Sequence, residues 1–366
     1  MSTLPKLALA VVSVLLTLLA VEAFGRFWVW LRWPEAKLHE HTHVTATRGR
    51  FTTHPELGYA LTPGFRVEGF SHNARGLRGP EIGERRPGVA RVAIVGASTV
   101  YGIYVTDEET SASALQRQLA EDGIAAEVIN GGVPGWTSHE TARSWSERIA
   151  PLEPDVGIVM DGRNDAFPQL WLDFREDYAH FRDPTYQVVT SNLAFKRLFQ
   201  WSRMAMLVIS RGELFGFSRV REHPIYGAIR WENQPSVEQA YAGGGFEAKG
   251  HTFERNLRAL VATMRAGGTR PVLATVPYWE EGYGSGWLGG REYAAAVGAR
   301  VRENNERVRR LARELSLPLV EAEDLSGLGD EILHDDCHFR PEGEERVAAR
   351  MRAVVAPLLT ASHDGT

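Results

Sequence analysis

Apolar positions along the chain fall into three regimes. The first is an uninterrupted run without a charge, LALAVVSVLLTLLAV from Leu7 to Val21, preceded by Lys6 and followed by EAFGRFWVWLRW. From Pro34 to about Gly88 the chain is polar and rich in His, Arg and Gly, with short β-like pieces such as GYALT and FRVEGF. Beyond Arg91 short apolar runs alternate with longer amphipathic stretches, the signature of an α/β layer structure. RVAIVG reads as a strand, SASALQRQLAEDG as a helix ending on Gly123 at its C′ position, and AAEVIN as a strand. SHETARSWSERI reads as a helix opened by Ser138, and DVGIVMDG as a fully apolar strand. The theme resumes with HTFERNLRALVATMRAGG as a helix, RPVLATVP as a strand, REYAAAVGARVRENNERVRRLAREL as a long helix and LPLVEA as a short strand. PEGEERVAARMRAVVAPLL closes the chain as a helix with Pro341 near its first turn. Five strands with intervening helices predict one doubly wound parallel sheet, which collects ligands at the carboxyl ends of its strands.

One segment breaks the alternation. From Ala166 to about Gly250 the chain is too long for a simple crossover. It reads as a mostly helical insertion dense in aromatics, Trp171, Tyr178, Phe181, Trp201 and Trp231 among them, and aromatics at helical spacing are more often core than ligand platform.

The N-terminal run has two readings. With Phe24, Phe27, Trp28, Trp30 and Trp33 as an aromatic belt, roughly 20 residues become available to cross a bilayer as an uncleaved anchor. The rival is a cleaved signal peptide with Val21-Glu22-Ala23 as its small-residue site. The anchor is preferred, because the aromatic and arginine cluster after Ala23 suits a membrane interface and serves no purpose at a mature N-terminus. Lys6 competes with Arg26 and Arg32, so charge alone does not orient the span; either reading puts the bulk of the chain outside the cytoplasm.

Composition narrows the partners. A chain of 366 residues buries an ample core without staples, and its one cysteine, Cys337, excludes a disulfide framework. A formal charge of −5, with Lys and Arg scattered, gives no nucleic-acid footprint. His39, His41 and His43 have a spacing that can grip a metal in an extended segment. No cysteine or carboxylate pair completes that set, so the stretch reads as a solvated stalk.

Four short blocks sit just after strand ends. GASTVYG carries Ser98 at a strand-to-helix turn, and NGGVPGWTS carries Gly135, which permits close backbone approach. DGRNDAF carries Asn164, a neutral amide donor, and HDDCHF carries Asp335 and His338 on one turn. Ester cleavage needs a hydroxyl activated by a base, an imidazole held by a carboxylate, and donors aimed at the developing oxyanion. Ser98, His338 and Asp335 suit the first roles; the Ser98 and Gly135 N–H groups and the Asn164 amide suit the last. The competing readings are structural or metal-based. Ser98 alone is a helix cap, and Gly135 and Asn164 are turn residues. His334, Asp335, Asp336 and His338 are potential metal ligands that consecutive positions converge poorly, and Cys337 packs inward as a small apolar residue. GASTVYG lacks the lysine and spacing of a phosphate-binding loop.

In this order the four blocks resemble the SGNH (GDSL-type) hydrolase superfamily over roughly residues 90 to 358. The resemblance implies a flavodoxin-like three-layer α/β/α sandwich with a five-stranded parallel sheet, a nucleophile at Ser98, oxyanion donors at Ser98, Gly135 and Asn164, and a base and acid at His338 and Asp335. One departure stands out: the family's Gly-Asp-Ser reads Gly96-Ala97-Ser98. FSHNARGLRGPE, with Asn73, Gly76, Arg78 and Gly79, resembles the segment that precedes the catalytic domain in membrane-tethered bacterial members. The expected organisation is an anchor or signal segment over 1–33, a linker and irregular preamble over 34–88, an SGNH domain over 89–360 with an insertion at 166–250, and a disordered tail at 361–366. The expected protein is a membrane-anchored, extracytoplasmic serine esterase or acyltransferase acting on an acylated small molecule, lipid or glycan, without metal or organic cofactor. Trp136 and Trp279 are candidate substrate contacts. The alternative is an inactive SGNH-like module that binds glycans or scaffolds an envelope complex; a fluorophosphonate probe separates the two. Nothing in the sequence sets the oligomeric state.

Overall fold

The computed structural model describes residues 3–32, 50–67, 69–182, 202–204, 229–242, 246–284 and 290–360. Two compact units emerge, one of Met1–Thr52 with Gln187–Gly227 and one of Thr53–Tyr186 with Ala228–Thr366.

In the first unit a continuous helix runs over Thr3–Arg32. Its stretch Pro5–Trp28, of mean hydropathy 2.5, is the one helix among the described residues long and apolar enough to cross a membrane. Glu22 interrupts that apolar surface, and its carboxylate accepts hydrogen bonds from Ser202 Oγ (2.7 Å) and from the amides of Arg203 (2.9 Å) and Met204 (3.3 Å). The expected histidine cluster at 39–43, Trp33, Trp201 and the tail at 361–366 lie outside the described residues.

Ahead of the main sheet, β1 (Phe51–His54) pairs with β2 (Gly58–Leu61) and β3 (Arg66–Val67) with β4 (Phe70–Ser71) in two small two-stranded sheets. The main sheet follows: β5 (Ala90–Gly96), β6 (Ala126–Gly132), β7 (Val156–Met160), β8 (Arg270–Ala274) and β9 (Leu319–Val320), all parallel, in the order β6-β5-β7-β8-β9. β5 and β7 are buried almost end to end, which is why they read as unbroken apolar runs. Helices Ser111–Glu121 and Pro341–Thr360 pack on each other on one face. On the other, Ser138–Ser144, Phe246–Ala266 and Ala294–Glu314 enclose a core of Trp145, Phe253, Leu257, Met264 and Val308 against Ala93, Val95 and Val159. This is the expected α/β/α architecture.

Register sets the height of the site. Gly96 pairs level with Gly132 and with Met160, so the segments that follow β5, β6 and β7 leave the sheet at one edge. Two glycines make that edge possible. A Cβ on Gly96, at φ +156°, would lie 2.3 Å from the Met160 carbonyl oxygen, and one on Gly132 would lie 2.3 Å from the Tyr101 nitrogen.

Several details differ from the sequence reading. The residue before the Ser138–Ser144 helix, Thr137, is its cap, in a capping box with Glu140. Ser138 Oγ instead donates to Asp165 at 2.5 Å. The helix expected from His251 begins at Phe246, and LPLVEA contributes only Leu319–Val320 as strand. Of the insertion's aromatics, Trp171, Tyr178 and Phe181 are buried in the core, while Trp231 is 39% exposed. From Arg50 onward the preamble contributes buried side chains. Tyr59, Leu61, His72 and Arg78 are buried, and Tyr59 Oη donates to the Pro134 carbonyl at 2.9 Å.

Candidate active site

Ser98 opens a one-turn helix, Ser98–Tyr101, directly after β5, and Gly102 ends it in the left-handed region at φ +75°. As the first helical residue, Ser98 has an N–H that the helix itself does not use. The turn is fastened from several sides. Asn130 Nδ2 donates to the Val100 carbonyl (2.9 Å), His72 Nε2 meets Tyr101 Oη (3.0 Å), and Thr99 Oγ1 donates to the Cys337 carbonyl (3.3 Å).

The segment 334–338 is a closed loop. His334 N–H donates to the His338 carbonyl (2.8 Å) and Arg340 N–H to the Ile332 carbonyl (2.8 Å). Inside it, Asp335 Oδ1 accepts from the Cys337 and His338 amides (3.1 and 3.0 Å), a local turn that folds the carboxylate back onto its own histidine. His338 Nδ1 then lies 2.7 Å from Asp335 Oδ2, and His338 Nε2 lies 2.7 Å from Ser98 Oγ, across 240 residues of chain. All three side chains are enclosed, with Ser98 and Asp335 each 8% exposed. Tyr104 stacks on His334 and meets the His338 ring edge-on.

Electrostatics follow from this enclosure. Burial disfavours charge on His338, yet the adjacent Asp335 carboxylate overrides it and raises the imidazole well above its ordinary value. Burial alone would raise Asp335, but His338 and the two amides hold it down at about 2. Burial pushes the Cys337 thiol up, consistent with a packed, unreactive side chain.

Gly135 has φ +81°, a conformation suited to glycine, and its N–H has no acceptor among the described residues. Its carbonyl accepts from Arg182, which also pairs with Glu140 at 3.1 Å. Asn164 Nδ2 donates to the Trp136 carbonyl at 2.8 Å, and Asn164 Oδ1 accepts from Arg163 Nη1 at 3.2 Å. The amide therefore keeps one N–H for another acceptor. Asp165 is fixed by the Ser138 amide (3.0 Å), Ser138 Oγ and Tyr178 Oη (3.0 Å); burial lifts it to about 6 against those bonds.

The two tryptophans stand differently. The Trp136 ring is 1% exposed and its Nε1 donates to the Tyr59 carbonyl at 3.2 Å, so it is not available to stack on a substrate; its carbonyl holds Asn164 instead. The half-buried Trp279 ring lies against Gly282 and Gly329, and the Trp279 backbone N–H donates to the Asp336 carbonyl at 2.7 Å.

Sequence reasoning missed the pairing of Arg163 with Asp336, at 2.7 and 2.9 Å, within the two blocks it had singled out. It singled out Arg78 within the preamble but not its contacts: the guanidinium donates to the Tyr101 carbonyl (2.5 Å) and, through further short bonds, to Gly102 and Val105. The possible metal set is drawn apart by these partners, Asp336 toward Arg163 and Asp335 toward His338. Ligand atoms of Asp335, Cys337 and His338 do lie within 4.8 Å of one another, but Asp335 and His338 are bonded to each other.

The fold is α/β, and beyond its strand ends a serine, a histidine and an aspartate stand in hydrogen-bonding sequence. Residues 94–346 match the GDSL-like lipase/acylhydrolase family, and the chain belongs to it as a serine esterase. Solved structures that match include a lipase/acylhydrolase from Enterococcus faecalis at 17% identity, covering 73% of this chain and 96% of that one with a TM-score of 0.44. An acetylxylan esterase from Geobacillus stearothermophilus matches at 14% identity, covering 73% and 94%, with a TM-score of 0.42. A lipolytic protein of the G-D-S-L family from Desulfitobacterium hafniense matches at 14% identity, covering 72% and 99%, with a TM-score of 0.41. Membership rests on the family match over 94–346. No curated protein matches the chain.

Proposed function

We propose that the protein is an O-acyl esterase or acyltransferase in which Ser98 is the nucleophile, His338 the general base and Asp335 the residue that holds the base. The observation that carries this reading is the unbroken hydrogen-bonded line from Asp335 through His338 to Ser98 Oγ. His338 Nε2 takes the Ser98 proton as Oγ attacks the ester carbonyl. The oxyanion accepts hydrogen bonds from the Ser98 N–H, the Gly135 N–H and the spare Asn164 N–H. The tetrahedral adduct collapses as His338 returns the proton to the leaving alkoxide, giving acyl-Ser98. Water or an acceptor hydroxyl, deprotonated by the same nitrogen, releases the acyl group. Labelling by a fluorophosphonate probe and turnover of p-nitrophenyl acetate, both abolished in Ser98→Ala, test this. An intact protein that shows neither is the glycan-binding or scaffolding module instead.

The same proposal places the enzyme outside the cytoplasm on an uncleaved anchor, acting on an acylated small molecule, lipid or glycan. Support comes from the length of the apolar helix and from the satisfaction of Glu22 by Ser202, Arg203 and Met204, which lowers the cost of a carboxylate near a bilayer. An anchored protein stays in the membrane pellet through alkaline carbonate and keeps its N-terminal residues; a signal peptide leaves a shortened soluble product.

A further inference from the structure

Asn164 is useful as an oxyanion donor only if its amide faces the right way round. Its neighbours decide that. Arg163 Nη1 can only donate and the Trp136 carbonyl can only accept, so a flipped amide would set N–H against N–H and oxygen against oxygen. Arg163 is in turn held by both Nε and Nη2 on one carboxylate oxygen, Asp336 Oδ2, at 2.9 and 2.7 Å. Its guanidinium also lies 4.7 Å from the centre of the Phe167 ring. The pair is enclosed, with Arg163 6% and Asp336 0% exposed.

Asp336 is the neighbour of Asp335 in the loop that carries His338. Arg163 is the neighbour of Asn164 in the block after β7. The ion pair thus joins two segments of the site that lie 173 residues apart in the chain, after β7 and after β9. It also adds a donor to Asn164 Oδ1, and a donor on the amide oxygen strengthens the amide N–H as a donor in turn.

We propose that the Arg163–Asp336 pair is a positioning device for the ester-cleaving site, fixing the orientation of Asn164 and locking the oxyanion donor to the loop of the base. The proposal rests on the reading of Ser98 as nucleophile. It predicts an effect on the transition state, where the oxyanion forms, and little on the bound ester.

The test must separate positioning from mere folding. Removing one member of a buried pair strands the other, whereas replacing both with apolar residues of similar volume often preserves stability. Arg163→Met/Asp336→Leu is therefore compared with wild type by thermal melting and by kcat and KM on p-nitrophenyl acetate. The expected result is a melting temperature within a few degrees, KM within about twofold, and kcat lower by roughly 10- to 100-fold. Asp336→Asn, nearly isosteric, is expected to lower kcat in the same sense and serves if the double variant does not fold.

A second readout uses Asn164→Ala, itself expected to lower kcat by about 10²-fold. If the pair acts through Asn164, adding Asp336→Asn to Asn164→Ala lowers kcat little further; a general structural effect would multiply. Wild-type kcat in Asp336→Asn and in a folded double variant overturns the proposal, as does full multiplicativity with Asn164→Ala. Ser98-dependent labelling of wild type shows the underlying reading intact in those cases, and its absence overturns both.

Discussion

Arg78 lies with its guanidinium carbon 4.5 Å from the centre of the Tyr101 ring while one of its nitrogens donates to the Tyr101 carbonyl. Phe70 stands on the guanidinium at 4.6 Å, and Asp107 accepts from Nε at 3.0 Å. One side chain from the segment before the sheet thereby ties down the turn that carries Ser98. Arg78→Met keeps much of the packing but removes the guanidinium donors from the Tyr101, Gly102 and Val105 carbonyls and the partner of Asp107. We expect a loss of about 3 kcal/mol in denaturant unfolding, and a fall in kcat that persists at temperatures where the variant is fully folded.

On the proposed mechanism the Asp335–His338 contact sets the pH profile. His338 acts as base only when neutral, and its folded pKa is raised, so kcat/KM is expected to climb with pH through that raised value, above the ordinary imidazole range near 6.5. Asp335→Asn removes the carboxylate that raises it and leaves burial, which lowers it. The acid limb should move to lower pH while kcat falls by roughly 10³- to 10⁴-fold. A pH–rate series on both proteins measures the two effects together.

Glu344 gives a stability signature instead. It sits at the start of the closing helix, accepting from the Ser111 amide at 2.8 Å, and burial lifts its carboxyl to about 8 from 4.5. A raised carboxyl keeps its proton in the fold and loses it in the unfolded chain. Its contribution is full below pH 4.5 and is lost as pH rises toward 8, at up to about 1.4 kcal/mol per unit. Glu344→Gln retains the acceptor without the charge. Its stability relative to wild type should therefore grow between pH 5 and 8, which unfolding curves at several pH values will record.

Gly132 tests how tightly the proposed nucleophile is seated. The three nearest atoms that an added Cβ would meet there are backbone of the Ser98–Tyr101 turn, the Tyr101 nitrogen and Cα and the Val100 carbonyl carbon. Gly132→Ala cannot be absorbed by a side-chain rotation. A cost of about 1–3 kcal/mol in stability is expected. Displacement of Ser98 by an ångström should lower kcat on the order of 10²-fold.

The sheet was legible because parallel strands buried on both faces leave unbroken apolar runs, as in RVAIV and GIVM, and because Gly123 and Pro341 punctuate helices in ways that do not depend on tertiary context. Ser98, Asp335 and His338 were nameable from their blocks, and the structure brings them within hydrogen-bonding distance. The supports were not legible. Arg78 reaches Tyr101, Tyr59 reaches Pro134 and Arg163 reaches Asp336 over separations that carry no periodicity. Trp136 next to Gly135 suggested a platform because sequence shows neighbours and not enclosure. The helix does open at Ser138; its cap, Thr137, went unnamed because Ser and Thr are equally able caps, and only the position of Asp165 gives Ser138 Oγ another partner.

The buried segment before β5 has a practical consequence for where this protein can be cut. The family match starts at residue 94, after Tyr59, His72 and Arg78 have already contributed their bonds to the loops around Ser98. The stretch the family match covers is thus shorter than the stretch whose side chains brace the Ser98 turn. A fragment begun at the family boundary should express as an unstable protein with an unbraced Ser98 turn, whereas one begun near residue 50 keeps its braces and can be studied free of the apolar helix.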